Sequence, residues 1–150
     1  MFTMHQNRPA SLGLLMLRIM AGVVFVVHGG QKLFLIGLPG FAVSLAQLGI
    51  PAPPVAAVIV TLVEFVGGAL LIIGLFARYA AALIAIDMLV AVLTVHLPRG
   101  FFNPRGFEYP LTLMVVNLAL MLLGAGAWSI DAWVHGDTAA DRDHGPGAKD

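Results

Sequence analysis

The stretch that decides the fold is residues 11–34, SLGLLMLRIMAGVVFVVHGGQKLF. From Ser11 to Gln31 its one charged side chain is Arg18, and a bilayer core takes about 20 apolar helical residues. The run is too long for the apolar region of a secretory signal, carries an arginine inside, and lacks a small-residue cleavage site. It is therefore expected to stay in the membrane as a helix. Three further segments of the same kind follow, at 55–76, 79–97 and 109–127. Leu, Ile, Val, Ala and Gly alternate without a strict period of two, which is the pattern of helices and not of barrel strands. The connection Ala77-Arg78 is short, so the helices it joins run antiparallel. The expected fold is an all-α integral membrane four-helix antiparallel bundle over residues 11–134, with a tail at 1–10 and a polar, disordered tail at 135–150.

Composition supports the same solvent. Of 150 residues, 59% are hydrophobic and 11% charged, against about 25% charged in a soluble domain. A globule of this size buries only about 70% of the surface its unfolded chain exposes, so water is excluded as the solvent. Eight basic and eight acidic residues cancel, which leaves no electrostatic footprint for nucleic acid. With no cysteine, thiolate metal sites and thiol redox chemistry are excluded, and no metal site is expected.

Between the first two spans, the loop at 37–54 is apolar but broken by Pro39, Gly40, Pro51, Pro53 and Pro54. Its middle, 41–48 (FAVSLAQL), suits a short helix lying in the membrane interface. The loop 98–107 (PRGFFNPRGF) suits a turn at headgroup level. Four spans place both termini on one side, taken as the cytoplasmic side of a bacterial-type plasma membrane. Positive charge near the helix ends is balanced, three against three, and does not itself set the direction.

Polar groups inside lipid cost at least about 2.5–3.5 kcal/mol for a central charge, so those that persist face the bundle interior and find partners. At 100° per residue, Arg18, Gly22, Phe25, His28, Gly29 and Lys32 share an arc of about 120° on the first span. Glu64 and Asn117 fall near the middle of the second and fourth spans. A buried polar core of Arg18, Glu64 and Asn117 is expected, with Arg18–Glu64 as its ion pair. A second group, His28, Lys32, His96 and Glu108, is expected at the face opposite the termini as a ligand-binding cluster. Asp87, nine residues before His96, points about 180° away from it on an ideal helix. His96 is therefore expected to face inward, and Asp87 to find a neighbouring subunit or a local polar atom. Each of these has a plainer reading: packing glue for Arg18–Glu64, interfacial snorkelling for Lys32 and Glu108.

These residues carry a resemblance. The pieces LMLRIMAGVVFVVHGGQKL (15–33), LVEFVGGALLIIGLFARYAA (62–81), IDMLVAVLTVHLPRGFF (86–102), FEYPLTL (107–113) and GAGAWSIDAW (124–133) stand in order. Together they resemble the DoxX family of small four-helix membrane proteins over roughly Leu12 to Asp131. The resemblance puts Arg18, His28, Lys32, Glu64, His96 and Glu108 on the family's recurring polar positions. It implies a membrane subunit of a redox system, working with an oxidoreductase partner subunit.

Three functional readings follow. In the first, the chain handles a quinone: an apolar slot takes the ring and tail, and the His28, Lys32, His96 and Glu108 face supplies hydrogen bonds and protons, with histidine able to titrate near neutral pH. The chain carries no evident redox cofactor of its own, so a partner supplies the electrons. In the second, the chain is a non-catalytic anchor or assembly subunit whose polar interior sets packing. The third, a small-molecule transporter, needs a homo-oligomer to make a wide enough conduit. Haem between His28 and His96 fits poorly, because lysine and glutamate make the pocket polar.

Overall fold

A computed structural model describes residues 8–102 and 104–134; residues 1–7 of the tail expected at 1–10 and the tail expected at 135–150 lie outside them, while residues 8–10 belong to the first helix. Among the described residues the only regular structure is helical, with no strand. The helices are α1 (Arg8–Gly30), α2 (Leu38–Gln47), α3 (Pro53–Ile73), α4 (Ala77–Ala91) and α5 (Glu108–Leu123). Two of them continue into wider π-helical turns, α1 through Gln31–Ile36 and α4 through Val92–His96, the latter closed by a 3-10 turn at Leu97–Arg99. With these extensions, Arg8–Ile36, Pro53–Ile73 and Ala77–Arg99 are long and apolar enough to cross a bilayer. The fourth apolar helix, α5, has 16 residues, about 24 Å of rise. The chain is a helical membrane bundle, and its outward side chains, among them Met16, Leu35, Ile86 and Leu122, are more than half exposed to the lipid side.

Glycine and proline set the breaks. Gly37 adopts φ 76° and ends the first rod, and Pro53 and Pro54 open α3, where a missing N–H is harmless. Gly74 sits in the left-handed region at the end of α3; its N–H donates to Leu70 and Leu71, and the Leu75 N–H returns to the Leu70 carbonyl. That is a glycine-terminated helix end, which only a residue without Cβ enters freely. The fourth span is shorter than the expected 109–127. Gly124 and Gly126 take positive φ, so residues 124–129 leave the helix as a turn before a last helical turn at 130–134.

The interior is built around close helix approach. A Cβ on Gly22 would stand 2.6 Å from the Gly68 carbonyl oxygen, and one on Gly68 2.8 Å from the Val26 nitrogen. Backbones this near rely on small residues, as in membrane helix pairs generally. Gly29 abuts Phe65 in the same seam. These contacts fix the register of α1 on α3, and that register decides which polar groups meet. α4 packs on α5, with Phe25, Leu71, Ile84 and Leu120 fully buried at the centre.

Candidate functional site: a polar-walled cavity at the loop end

The two ends of the bundle hold different polar structures. At the end where the described chain begins and ends, Arg18 is 1% exposed. Its Nη1 donates to the Ala125 carbonyl and its Nη2 to the Trp128 carbonyl, both at 2.6 Å. Those carbonyls are available because the glycine-rich turn has left α5. Beside them, the Asp131 carboxylate accepts from the Phe76 N–H at 2.8 Å and the Ala77 N–H at 2.9 Å, and its own N–H donates to the Gly74 carbonyl. Phe76 is a non-glycine residue at φ 48°, a conformation that costs about 1–2 kcal/mol. Asp131, from the other end of the sequence, caps α4 and holds that conformation.

The Arg18–Glu64 ion pair does not form. The α1–α3 seam puts Gly22 against Gly68 and Gly29 against Phe65, which sets Glu64 level with the far end of α1 and Arg18 level with Gly74. Glu64, 4% exposed, is instead paired with Lys32. Asn117 stands apart from both: its amide donates to the Leu113 carbonyl one turn back at 2.8 Å, and its Oδ1 is buried without a hydrogen-bond partner. The three residues expected as one polar core are thus buried separately, in three different settings.

At the loop end a cavity of about 470 Å³ opens between α1, α2, α3, α4 and α5, within the usual 300–1,000 Å³ range of small-molecule sites. Most of its wall is apolar, with Phe25, Leu45, Val60, Met88 and Leu113 as examples. The helix α2, which covers the expected interfacial stretch, closes one side through Phe41, Leu45 and Leu48. Seven polar side chains line it: His28, Lys32, Glu64, Asp87 and His96, with the hydroxyls of Thr94 and Tyr109. Of the expected cluster, the structure brings His28, Lys32 and His96 to one space and leaves Glu108 out of its lining. Glu108 is the first residue of α5, held by a bond from its N–H to the Phe101 carbonyl; depth alone put it in the cluster, and its position around the helix does not.

Asp87 corrects a second expectation. It shares the cavity with His96, because the π-helical turn at Val92–His96 rotates the end of α4 less per residue than an α-helix does. The ideal-helix angle that separated the two residues no longer holds. Lys32 likewise sits in a π-helical turn, Gln31–Ile36, and such turns recur at functional sites. Asp87 Oδ2 is buried and has no hydrogen-bond partner. His96 Nδ1 lies 3.0 Å from the Arg105 carbonyl; a carbonyl only accepts, so Nδ1 carries the proton and Nε2 of the neutral ring has a free lone pair. Lys32 also stands 5.4 Å above the Phe41 ring, a cation–π distance. His28 is exposed along the cavity edge. Among the described residues, no three His, Asp or Glu side chains converge as metal ligands would.

The comparisons agree with this architecture. The DoxX family model matches residues 13–97, and the chain belongs to that family. It is 32% identical over 114 residues to a Bacillus subtilis (strain 168) protein named "Putative oxidoreductase CatD", covering 76% of this chain and 82% of the relative. An uncharacterized membrane protein of Mycobacterium tuberculosis is 31% identical over 139 residues, 85% of this chain and 83% of its own. The inner membrane protein YphA of Escherichia coli (strain K12) is 29% identical over 136 residues, 87% of this chain and 94% of its own. No solved structure matches the chain. Through its family and its apolar spans it is a membrane protein.

Proposed function

We propose that this chain is the membrane part of a redox system and binds a quinone-type ring in the cavity between α1 and α4. The observation that carries the reading is the combination of a ligand-sized apolar space with a polar wall made of Lys32, Glu64, Asp87 and His96. A quinone ring and the start of its tail suit the apolar part. Its carbonyl oxygens accept hydrogen bonds, and the Lys32 ammonium, which keeps N–H groups beyond its bond to Glu64, is a donor for one of them. Reduction to the quinol consumes two electrons and two protons. The electrons come from a partner oxidoreductase subunit, and the protons come from water through the histidine-lined edge of the cavity; a redox role is in keeping with the name of the Bacillus relative. The protein then sits in the bacterial inner membrane with both termini on the cytoplasmic side.

Titrating a decyl-substituted benzoquinone into the purified protein in lipid nanodiscs tests this. The imidazole signals of His28 and His96 are expected to shift saturably, while the Trp128 and Trp133 indole signals at the far end stay in place. Unchanged histidine signals up to the solubility limit of the quinone overturn the reading. The Lys32–Glu64 pair by itself also suits an anchor or assembly subunit, in which it sets helix packing; such a subunit gives no response in the titration.

A further inference from the structure

We infer that the cavity discriminates between the two redox forms of its ligand and holds the dihydroxy form, a hydroquinone, more tightly than the quinone. The inference rests on the quinone reading above and concerns the hydrogen-bonding sense of the wall contributed by α4. Two side chains there, Asp87 and His96, line the cavity. Asp87 Oδ2 is buried and unpartnered. His96 offers Nε2 as a lone pair, because its Nδ1–H is used on the Arg105 carbonyl. Both are acceptors in these states, and they line the same space.

A quinone carbonyl has only lone pairs, so against this wall it meets acceptors and leaves them unsatisfied. A hydroquinone hydroxyl has a proton to give to Asp87 or His96, and keeps lone pairs with which to accept from Lys32 on the opposite wall. The reduced ligand therefore completes both walls, and the oxidised one completes only the Lys32 side. A buried acceptor left without a donor is costly in proportion to its desolvation, and a site built to bond a hydroxyl rejects analogues that lack it. Protonated, Asp87 gains an O–H that can donate to a quinone carbonyl, so the asymmetry belongs to the ionised carboxylate together with His96 Nε2.

The selectivity is a thermodynamic statement and predicts a shifted couple. Tighter binding of the reduced form by a given factor makes the bound ligand easier to reduce. For a two-electron couple each tenfold preference raises the midpoint potential by about 30 mV.

Three ligands separate the possibilities: a decyl-benzoquinone, its hydroquinone under anaerobic conditions, and the hydroquinone dimethyl ether, which keeps the shape but loses both O–H donors. The expected order in nanodiscs is hydroquinone at least tenfold tighter than quinone, with the ether no better than the quinone. Asp87→Leu is expected to close the gap, weakening the hydroquinone and leaving the quinone at least as tight as in the wild type. Asp87→Asn, which adds an N–H donor, is expected to narrow the gap by strengthening the quinone. Equal affinity for both redox forms, a quinone preference, or an ether as tight as the hydroquinone overturns the inference while leaving the quinone site standing. Binding of none of the three overturns both. The wild-type series decides the matter even if the Asp87→Leu protein does not fold.

Discussion

The two ends of this bundle spend their scarce polar groups differently. At the end holding Arg18 and Asp131, charged side chains reach backbone groups that a glycine turn and a helix start have left open. At the other end, charged side chains face one another across a cavity, and Asp87 keeps a buried oxygen with no partner. A polar group bonded to the backbone in lipid locks the fold, because backbone groups there must be satisfied internally. One left open in a cavity does not. The contrast separates backbone-bonded polarity from cavity-facing polarity within a single small domain.

The contrast breaks first at Glu64. Glu64→Leu alone leaves the Lys32 ammonium buried and unpaired, expected to cost about 3–5 kcal/mol, whereas adding Lys32→Met should recover most of that loss. Unfolding of both variants in mixed micelles measures it, and a double variant as unstable as the single one would sink the idea of a repairable pair. Arg18→Met should cost about 2–5 kcal/mol, since the buried Ala125 carbonyl and the part-buried Trp128 carbonyl lose their donors. No second side-chain substitution repairs it, because its partners are main-chain atoms; the same unfolding measurement reads it, and quinone affinity of the folded fraction should stay at the wild-type level. Asp131→Asn keeps the shape but removes the charge and one acceptor at the start of α4, expected to cost about 1–2 kcal/mol. Amide hydrogen exchange should report this as faster opening around Phe76 and Ala77, with the cavity end unaffected.

Much of the fold was legible along the chain. Four apolar stretches, the proline-flanked interfacial segment and the glycine face of the first span each reflect a local cost: lipid rejects exposed polar backbone, proline lacks a donor, and close helices need small residues. The arc of Arg18, His28 and Lys32 was legible for the same reason, since helical periodicity is local. The end of α5 was not. Hydropathy carries the span to Ala127, whereas Gly124 and Gly126 turn the backbone out of the helix and free the Ala125 carbonyl for Arg18.

The candidate site was legible in part. His28, Lys32 and His96 lie at helix ends of equal depth, and depth follows from counting residues. Glu108 has the right depth but does not line the cavity. Asp87 had the opposite problem: the regular helix angle turned it away, and the π-helical turn before His96 has no signature in the residue pattern. Asp131, within GAGAWSIDAW, caps a helix whose start lies 54 and 55 residues earlier, a distance that no local spacing encodes.

The sequence by itself determined the solvent, the all-helical class, the spans and the short list of polar residues, because each depends on the balance between apolar area, backbone hydrogen bonding and lipid. Tertiary structure alone decided the partners. The Gly22–Gly68 and Gly29–Phe65 contacts slide α1 along α3 until Lys32, and not Arg18, stands beside Glu64. Two π-helical turns then aim Lys32 and His96 at one cavity. Pairing depends on register and rotation between elements, which are set by packing across the whole bundle and not by the residues of any one helix.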